Sequence, residues 1–440
     1  MVPEVKKRKL NKKEQKVRLD QCEYFLPNKN RRCSMQRKAD QKYCSQHLIH
    51  DEDHKDERVP CPLDPNHSVW VRDLPYHLQK CNSKPKEVRE YWFTEDINCS
   101  LKTEGSDTSS QIEQESNEAD VDEKGLYNKY IPLLQNITFD SLTTKISQHK
   151  GLHSRLSELS NQKHALQQSS LIGNMRDANL LGLDKFYVEF GCGRGELSRY
   201  VNACILEDLK DNKDQIIKPD SFGYGFVDRG LNRMKMDSKI IKDSSDSGID
   251  IKIKRTRMDI KDLNLDKFIE DINPKKVVGI SKHLCGAATD LTLKSILNSA
   301  LLSDNIERFG GLMIAMCCRH ACSYDQLLPQ SKEYLAQYGF KTVDSFNILK
   351  KIVSWSVCGK GSKTAVDKEE DEEEAEQNHL SGLQFKQREQ IGFIARRLID
   401  ESRVHALRSL LTNDKVNVEM FLYTTKDTTL EDVCLSITPV

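Results

Sequence analysis

Two sets of four cysteine and histidine residues near the amino terminus constrain the fold of this chain more than any other feature. The first set has the spacing C-x10-C-x10-C-x2-H, and the second has C-x5-H-x9-H-x3-C. In chain order the residues are Cys22, Cys33, Cys44 and His47, then Cys61, His67, His77 and Cys81. Structural Zn²⁺ sites use four tetrahedral nitrogen and sulfur ligands, and each set supplies four. The surrounding segments are short and poor in aliphatic residues, so we expect them to fold only with metal bound.

We therefore predict one zinc finger at residues 18–50 and a second at 57–85, each with one structural Zn²⁺. The alternative is a set of scattered cysteines with chance histidines, which two complete quartets disfavour. The identity of the histidine ligand in the first site is less constrained than the number of ligands, because His50 and His54 are spare candidates for that site.

The charge distribution favours a nucleic-acid partner for this region. The whole chain of 440 residues is neutral, with 67 Lys and Arg against 67 Asp and Glu, but residues 1–90 hold 21 basic and 14 acidic side chains. Several basic side chains lie between the proposed ligands, where they could contact phosphates: Arg31, Arg32, Arg37, Lys38, Lys42 and Arg72. A purely structural or protein-binding finger is the alternative.

Two acidic stretches account for the neutrality and divide the rest of the chain. Residues 93–124 hold ten acidic and two basic side chains among many polar residues, which predicts a disordered linker. A second tract, Asp367 to Glu376, holds eight acids and one lysine and predicts an acidic loop insertion spanning 362–380. These boundaries leave one large domain at 125–440.

The sequence gives no indication of a membrane or secretory protein. No apolar run approaches the roughly 18 residues that cross a bilayer. The first twenty residues carry a basic cluster at 6–9 and no hydrophobic segment of the kind found in signal peptides. We therefore expect no membrane partner, an intracellular location in the nucleus, the cytoplasm or both, and cysteines that are thiols or metal ligands.

The large domain alternates short apolar runs with helical patterns, which predicts an α/β fold with a doubly wound parallel sheet. The predicted parallel strands are 186–190, 223–227, 251–254, 277–280 and 311–316. Two further strand-like runs, 416–424 and 433–437, have no helix between them. We expect these two to form a terminal antiparallel hairpin.

A glycine-rich turn after the first predicted strand is the strongest catalytic signal. Gly191, Gly193 and Gly195 have the spacing G-x-G-x-G, which allows a tight turn and a close approach to a ligand. Glu189 precedes the turn by two residues and would repel a pyrophosphate. An acid at this position suits a ligand with positive charge, such as the methionine part of S-adenosylmethionine.

Two acids at strand ends extend this interpretation. Asp228 ends the second predicted strand, where a carboxylate can accept hydrogen bonds from both ribose hydroxyls. Asp259 follows the third strand and is expected to bind the adenine amino group. Each acid taken alone is equally consistent with a helix cap or a turn. The ordered set of glycines and acids is what favours a cofactor site.

Two segments rich in titratable side chains, 281–286 and 317–322, follow the fourth and fifth predicted strands. Substrates of open α/β sheets bind beyond the carboxyl ends of the strands. Methyl transfer to a hydroxyl needs a positioned oxygen and a group that takes its proton or stabilises its charge. The candidates are first Lys282 and His283, then His320 and Arg319.

The cysteines of these segments have two interpretations. Cys285, Cys317 and Cys318 are small residues that could simply be buried at the strand ends. Alternatively, a third metal could bind Cys317, Cys318, His320 and Cys322, although their crowding disfavours a regular tetrahedral shell.

Together these motifs resemble the eukaryotic family that 2′-O-methylates nucleotide 4 of the tRNA acceptor stem. The Lys-His-Leu-Cys-Gly string at 282–286 and the order of a CCCH and a CHHC finger are specific, whereas the glycine turn is shared with very many methyltransferases. The remaining matches are Val188 to Gly195, Cys317 to His320, Arg388 to Gly392 and Arg396 to Asp400. The resemblance implies a Rossmann-type class I methyltransferase that uses S-adenosylmethionine and acts on tRNA. A methyltransferase acting on a base or a protein and a non-catalytic RNA adaptor are the alternatives.

A helical pattern around 389–411 offers further basic side chains. Its apolar stripe should face the core, and five arginines lie largely off that stripe. RNA phosphates and solvent are the two alternative partners for these arginines: Arg388, Arg396, Arg397, Arg403 and Arg408.

Overall fold

A computed structural model of the chain describes residues 21–26, 31–54, 57–81, 83–84, 89–102, 122–211, 221–356, 379–412 and 414–440. It contains two compact units, Met1–Arg89 and Glu90–Val440. Residues 103–121 of the predicted linker and 362–378 of the predicted acidic insertion lie outside the described residues.

The first cysteine- and histidine-rich segment has little regular structure. Strand β1 (Phe25–Leu26) pairs antiparallel with β2 (Arg31–Arg32), and a short 3-10 helix covers Leu48–His50. Its apolar cluster consists of the three cysteines with Tyr24, Leu26 and Tyr43 packed against them. A cluster of this size is too small to stabilise a fold by hydrophobic burial alone, as the composition of the segment predicts.

The second segment is a hairpin followed by a helix. Strand β3 (Arg58–Cys61) pairs antiparallel with β4 (Asp64–Trp70), and helix α1 (Leu74–Lys80) follows. The Arg58 guanidinium stacks over the Trp70 ring at 4.6 Å. The Ser68 hydroxyl donates a hydrogen bond to the Gln46 carbonyl at 3.0 Å, which ties the two segments together.

The second unit is built on a seven-stranded sheet with the order β10-β11-β9-β8-β5-β6-β7. The strands are β5 (Lys185–Phe190), β6 (Gly223–Asp228), β7 (Lys252–Arg257), β8 (Lys276–Cys285), β9 (Phe309–Cys317), β10 (Val416–Leu422) and β11 (Val433–Pro439). Strands β5 to β9 are mutually parallel, and β11 is antiparallel to both β9 and β10. The predicted mixed α/β architecture and its terminal hairpin are confirmed.

Helices cover both faces of this sheet. They are α2 (Glu123–Gln135), α3 (His153–Glu158), α4 (Lys163–Asp177), α5 (Glu196–Asp211), α6 (Asp237–Asp246), α7 (Leu265–Glu270), α8 (Ala287–Leu297), α9 (Ala300–Ser303), α10 (Pro329–Gln337), α11 (Val343–Ser354) and α12 (Phe385–Leu410). Alternate residues of β5 point to opposite faces. Phe186 and Val188 pack with α7, α8 and α12, whereas Tyr187 packs with α4 and α5. In the part of the chain that is described, no helix combines the length and apolar character needed to cross a membrane.

The order of the strands places a topological switch beside β5. The chain runs from β5 to β6 and β7 on one side, then returns to β8 and β9 on the other. Loops at the carboxyl ends of the strands diverge at such a point and leave a crevice between them. The glycine turn predicted from the sequence leaves β5 at this crevice.

Two expectations about element boundaries need correction. The sequence predicts the fourth parallel strand at 277–280. In the structure this strand, β8, continues to Cys285, with an irregular register between Lys282 and Leu284. The linker predicted to begin at 93 is packed onto the domain as far as 102. There Asn98 is buried and donates to the carbonyls of Ile260 and Leu263 at 2.7 and 2.8 Å.

Candidate active site and metal centres

The glycine turn after β5 has a backbone that only glycine adopts readily. The φ angles of Gly191, Gly193 and Gly195 are +62°, +50° and +83°, in the left-handed region that disfavours a Cβ atom. A Cβ at Gly195 would also lie 2.8 Å from Cε1 of Phe226. The turn therefore brings bare backbone to the crevice, and α5 begins directly after it.

The two predicted strand-end acids line the same cavity beside this turn. The Asp228 carboxylate accepts hydrogen bonds from the amides of Gly193 at 2.7 Å and Gly230 at 2.6 Å. Asp259 accepts from the Lys261 amide at 3.1 Å and caps the short helix after β7. Both acids line a cavity of about 460 Å³, whose apolar wall comes from Met258, Ile260 and Leu291. The ordered acids predicted from the sequence thus share one cavity, and Asp259 is a helix cap as well.

A second cavity of about 400 Å³ lies on the other side of the turn. Gly191 lines both cavities, and Glu189, Glu196, His164 and Lys282 line the second. The paired cavities could hold one elongated ligand that crosses the glycine turn, since their volumes lie in the range usual for cofactor sites.

Glu189 has a structural contact in addition to its place in the second cavity. Its buried carboxylate accepts hydrogen bonds from the Ser198 amide at 3.1 Å and the Ser198 hydroxyl at 2.5 Å. Burial raises the pKa of Glu189 to about 7, because the charged form is poorly solvated there. Glu189 therefore holds the first turn of α5 against β5 and presents a carboxyl group at the cavity wall.

Among the predicted catalytic residues whose side chains the structure describes, Lys282 is the one that lines the second cavity. It is 9% exposed, and burial lowers the pKa of its amine to about 8 despite the opposing effects of Glu196, Cys317 and Glu189. Its Nζ atom lies 3.4 Å from Nδ1 of His164. An amine in this state is a proton acceptor close to neutral pH.

The other catalytic candidates differ in position. The Arg319 side chain is fully buried, and its guanidinium donates to Asp400 at 3.0 and 2.8 Å and also to Glu431. Arg319 therefore belongs to a buried ion-pair network and is not among the residues that line the two cavities. His320 is exposed on the short 3-10 helix after β9. The backbone of His283 lies in β8, and its side chain is outside what the structure describes.

The arginines of α12 also depart from expectation. Arg403 is buried and forms a bidentate ion pair with Asp290 at 2.9 and 2.8 Å, and Arg396 is buried against Asp432 at 3.1 Å. These two are structural ion pairs and are not available to RNA phosphates. Arg397 pairs with Glu401, and both side chains are half-buried. Arg388 and Arg408 donate to the backbone carbonyls of Leu383 and Val418.

The first cysteine–histidine quartet converges on one point. The ligand atoms of Cys22, Cys33, Cys44 and His47 all lie within 4.8 Å of one another. Nδ1 of His47 is 3.5 Å from the Cys22 sulfur and 3.4 Å from the Cys44 sulfur. Bond lengths of about 2.0–2.3 Å in a tetrahedral zinc site separate neighbouring ligands by about 3.3–3.8 Å. The donors present therefore fit Zn²⁺.

The two spare histidines of the first finger have other roles. The His50 ring stacks on Tyr24 at 4.4 Å, and the His54 ring lies edge-on to Trp70 at 5.6 Å. Neither belongs to the group of converging ligands, so the ligand set with His47 is the one that the fold assembles.

The second quartet converges in the same way. The Cys61 and Cys81 sulfur atoms are 3.7 Å apart, and Nε2 of His67 lies 3.1 Å from Nε2 of His77. Asp64 Oδ2 lies 3.3 Å from the other ring nitrogen of His67. A carboxylate in that place fixes the orientation of a metal-binding histidine. The sequence interpretation missed Asp64, whose only signal is its position three residues before His67.

A third group of thiols forms at the ends of β8 and β9. It consists of Cys285, Cys317 and Cys318, whose sulfur atoms lie within 4.8 Å of one another. Cys285 is exposed, so it is not simply a buried small residue. The alternative third site with His320 and Cys322 is wrong, because Cys322 is buried and accepts a hydrogen bond from Arg403 at 2.9 Å.

His164 and Glu196 are cavity residues that the sequence interpretation also missed. His164 lies near the start of α4, and Glu196 is the first residue of α5. No motif marks His164, since it approaches Lys282 across 118 residues of sequence. Glu196 directly follows the glycine turn in the sequence, and this position next to the turn could have predicted that it lines the cavity.

Comparison with known protein families agrees with this architecture. Residues 166–438 match the family model described as Methyltransferase TRM13. Residues 20–48 match the CCCH zinc finger in TRM13 protein, and residues 58–82 match the U11-48K-like CHHC zinc finger. No solved structure matches the chain significantly.

Similar curated proteins cover nearly the whole chain and carry the name tRNA:m(4)X modification enzyme TRM13. The protein of Debaryomyces hansenii is 58% identical over 99% of this chain and 95% of its own length. That of Scheffersomyces stipitis is 57% identical over 93% of this chain and 98% of its own, and that of Saccharomyces cerevisiae is 35% identical over 95% of each. The matches run along the chain as a CCCH finger, a CHHC finger and a methyltransferase domain. Because of these matches and the identity to the curated relatives, this chain belongs to the TRM13 family of tRNA-modifying methyltransferases.

Proposed function

We propose that this protein uses S-adenosylmethionine to methylate the ribose 2′-oxygen of nucleotide 4 in the acceptor stem of a subset of tRNAs. The name of its relatives, tRNA:m(4)X modification enzyme, supports tRNA as the substrate and position 4 as the target. The single observation that carries the choice of an oxygen acceptor is Lys282. It places a buried amine with a pKa of about 8 at the cavity wall beside the glycine turn.

The cofactor assignment is supported by the sheet and by the two cavities. Five parallel strands with a switch beside β5, closed by an antiparallel hairpin, are consistent with a Rossmann-type methyltransferase. The cavity with Asp228 and Asp259 suits an adenosine moiety, which offers ribose hydroxyls and an amino group as donors. The cavity with Glu189 suits the positively charged methionine moiety. When bound, S-adenosylmethionine supplies an electrophilic methyl group.

Lys282 then acts as the general base. A neutral amine in the second cavity accepts the proton of the ribose hydroxyl, which makes the oxygen a better nucleophile. Burial keeps a substantial fraction of the amine neutral near pH 8, whereas a lysine in water would be almost fully protonated. His164, 3.4 Å from Nζ, is close enough to orient the amine or to pass the proton to solvent.

The fingers supply binding energy for RNA and are proposed to hold one Zn²⁺ each. Arg31, Arg32, Lys38 and Lys42 are exposed on the first finger, and Arg72 is exposed on the second. Such side chains bind phosphates without reading sequence. Recognition of a duplex acceptor stem through its shape and 2′-hydroxyls suits a 2′-oxygen target, because these groups lie in the accessible minor groove.

The test uses a tRNA made by ligation of synthetic pieces, incubated with the full-length protein and labelled S-adenosylmethionine. We expect one 2′-O-methylated nucleotide at position 4 after digestion. A tRNA with a 2′-deoxyribose at nucleotide 4 should accept no label, whereas the matched tRNA with a 2′-deoxyribose at nucleotide 5 should still accept it. Comparing these two tRNAs separates the loss of the acceptor oxygen at nucleotide 4 from any general effect of a deoxyribose in the acceptor stem.

Three outcomes would overturn the proposal. Label retained on the tRNA with 2′-deoxyribose at nucleotide 4 would identify a base as the acceptor. Label on protein would identify a protein methyltransferase. Binding of tRNA with no transfer in either case would identify a non-catalytic RNA adaptor.

A further inference from the structure

The thiol group at the ends of β8 and β9 has no role in the proposed reaction. Cys285 and Cys317 are register partners on the two neighbouring parallel strands, and Cys318 follows directly. The Cys317 sulfur lies 3.7 Å from the Cys285 sulfur and 3.2 Å from the Cys318 sulfur. The fold therefore gathers three thiols that are separated by 32 residues of sequence at one point.

The backbone at Cys318 is arranged to keep its thiol beside that of Cys317. Cys318 has φ +48° and ψ +52°, a left-handed conformation that is unfavourable for a residue with a side chain and persists only when its surroundings hold it. Glu431 provides that support, because its carboxylate accepts a hydrogen bond from the Cys318 amide at 3.3 Å. Arg319 donates to the other oxygen of Glu431 and is itself anchored by Asp400. A buried ion-pair network thus fixes two adjacent thiols side by side.

The three sulfur atoms lie close enough together to share one thiophilic cation: Cys285 and Cys317 are 3.7 Å apart, Cys317 and Cys318 are 3.2 Å apart, and all three lie within 4.8 Å of one another. Zn–S bonds of about 2.3 Å in a tetrahedral shell separate the sulfur atoms by about 3.8 Å. Thiolates are the ligands preferred by zinc and similar soft cations. Cys285 is exposed while Cys317 is buried and Cys318 half-buried, so an ion can enter from solvent and one coordination position stays open.

We propose that Cys285, Cys317 and Cys318 form a third metal site, in which three thiolates bind a zinc-class cation and the fourth position is open to solvent. Each thiol releases its proton to solvent as it binds the metal. Cys285 also lines the cavity that contains Asp228 and Asp259, so the ion would lie at the wall of that cavity. The site depends on neither finger and does not rest on the proposed reaction.

The test measures metal content of the full-length protein loaded with excess Zn²⁺ under reducing conditions and then desalted. Elemental analysis should give three zinc ions per chain. Cys285→Ser and Cys318→Ser should each give two. The matched control is Cys99→Ser, which removes a thiol outside the cluster and should leave three. Loading with Cd²⁺ gives a second readout, because bound cadmium absorbs in proportion to the number of thiolates that coordinate it. The first finger supplies three thiolates, the second two and the cluster three, so the parent protein should show eight per chain. Cys285→Ser should show five, because the remaining two cysteines of the cluster should no longer hold the ion.

Two zinc ions in the parent protein would overturn the proposal. So would a third ion that persists in both serine variants, because its ligands would then lie elsewhere. A Cys285–Cys317 disulfide that accounts for both thiols in the parent protein, with no third metal, would assign the cluster to redox chemistry instead.

Discussion

The carboxylate of Asp228 accepts a hydrogen bond from the amide of Gly193 at 2.7 Å. This contact joins the end of β6 to the glycine turn after β5, across 35 residues of sequence. The Asp228 carboxylate therefore helps to hold the backbone of the glycine turn in place. Because the same carboxylate lines the larger cavity, a change at Asp228 acts both on the ligand and on the turn that cradles it.

Asp228→Ala should weaken cofactor binding strongly. The substitution removes the proposed acceptor for the ribose hydroxyls and releases the Gly193 amide. Loss of a hydrogen bond to a charged group costs about 1.5–3 kcal/mol, which corresponds to about a 10–100-fold rise in Kd. Isothermal titration calorimetry with S-adenosylmethionine measures it, and tRNA affinity should stay nearly unchanged. The control is Asp243→Ala on α6, which removes the partner of Arg199 and should leave the cofactor Kd unchanged. An unaltered cofactor Kd in Asp228→Ala would refute the assignment.

The pH dependence of kcat should report Lys282. Burial lowers the pKa of its amine to about 8, and only the neutral amine accepts a proton. The rate of methyl transfer should therefore rise with pH as the amine loses its proton and level off above about pH 8. Lys282→Ala should lower kcat by about 10²–10⁴-fold and remove this rise. Lys276→Ala, at the opposite end of the same strand, should retain both the rate and the profile.

Glu196→Gln should move that pH profile in a defined direction. The Glu196 carboxylate favours the charged form of Lys282 and so raises the pKa of the amine, against the effect of burial. Without this charge the pKa falls, and the rise in kcat should occur at lower pH. Single-turnover rates measured across pH check this result. Glu207→Gln, on the same helix and paired with Lys210, should leave the profile in place. A shift of Glu196→Gln to higher pH would contradict the proposed electrostatics.

The first finger should depend on His47 and not on its neighbour His50. His47→Ala removes a ligand, so one zinc ion per chain should be lost together with the folded finger. His50→Ala removes only a ring stacked on Tyr24 and should retain the metal. Cys33→Ser should behave like His47→Ala, and both should weaken tRNA binding. Elemental analysis and a tRNA binding assay distinguish the variants, and equal metal loss in His47→Ala and His50→Ala would contradict the assignment.

Arg403→Ala should destabilise the large domain. The Arg403 guanidinium and the Asp290 carboxylate are both fully buried and form two hydrogen bonds of 2.9 and 2.8 Å. Removing one partner leaves a buried charge without compensation, so the free energy of unfolding should fall by about 3–5 kcal/mol. Lys210→Ala on α5 breaks only an exposed pair with Glu207 and should cost about 1 kcal/mol or less. Urea denaturation compares the two, and equal losses would show that the buried pair has no special role.

The residues whose surroundings the sequence did not reveal have a common feature. Arg319 and Arg403 carry the same charge as an RNA-binding or catalytic arginine, and nothing beside them in the sequence shows that they are buried. Their acidic partners, Asp400 and Asp290, lie 81 and 113 residues away. The start of the linker was misjudged for a similar reason. Its first residues are polar in composition, but the Asn98 amide satisfies two carbonyls 162 and 165 residues away.

The sequence by itself determined the features that depend on local chemistry. The four ligands of each finger, the glycine turn and the alternation of strands and helices follow from residue type and spacing, because ligand number, backbone sterics and side-chain periodicity act over short stretches of chain. Only the tertiary structure decided which side chains are buried and which distant groups meet. It gave Lys282 its lowered pKa, enclosed Arg319 in an ion-pair network, and brought Cys285 to Cys317 and Cys318. Desolvation and contact between residues far apart in sequence are properties of the packed fold.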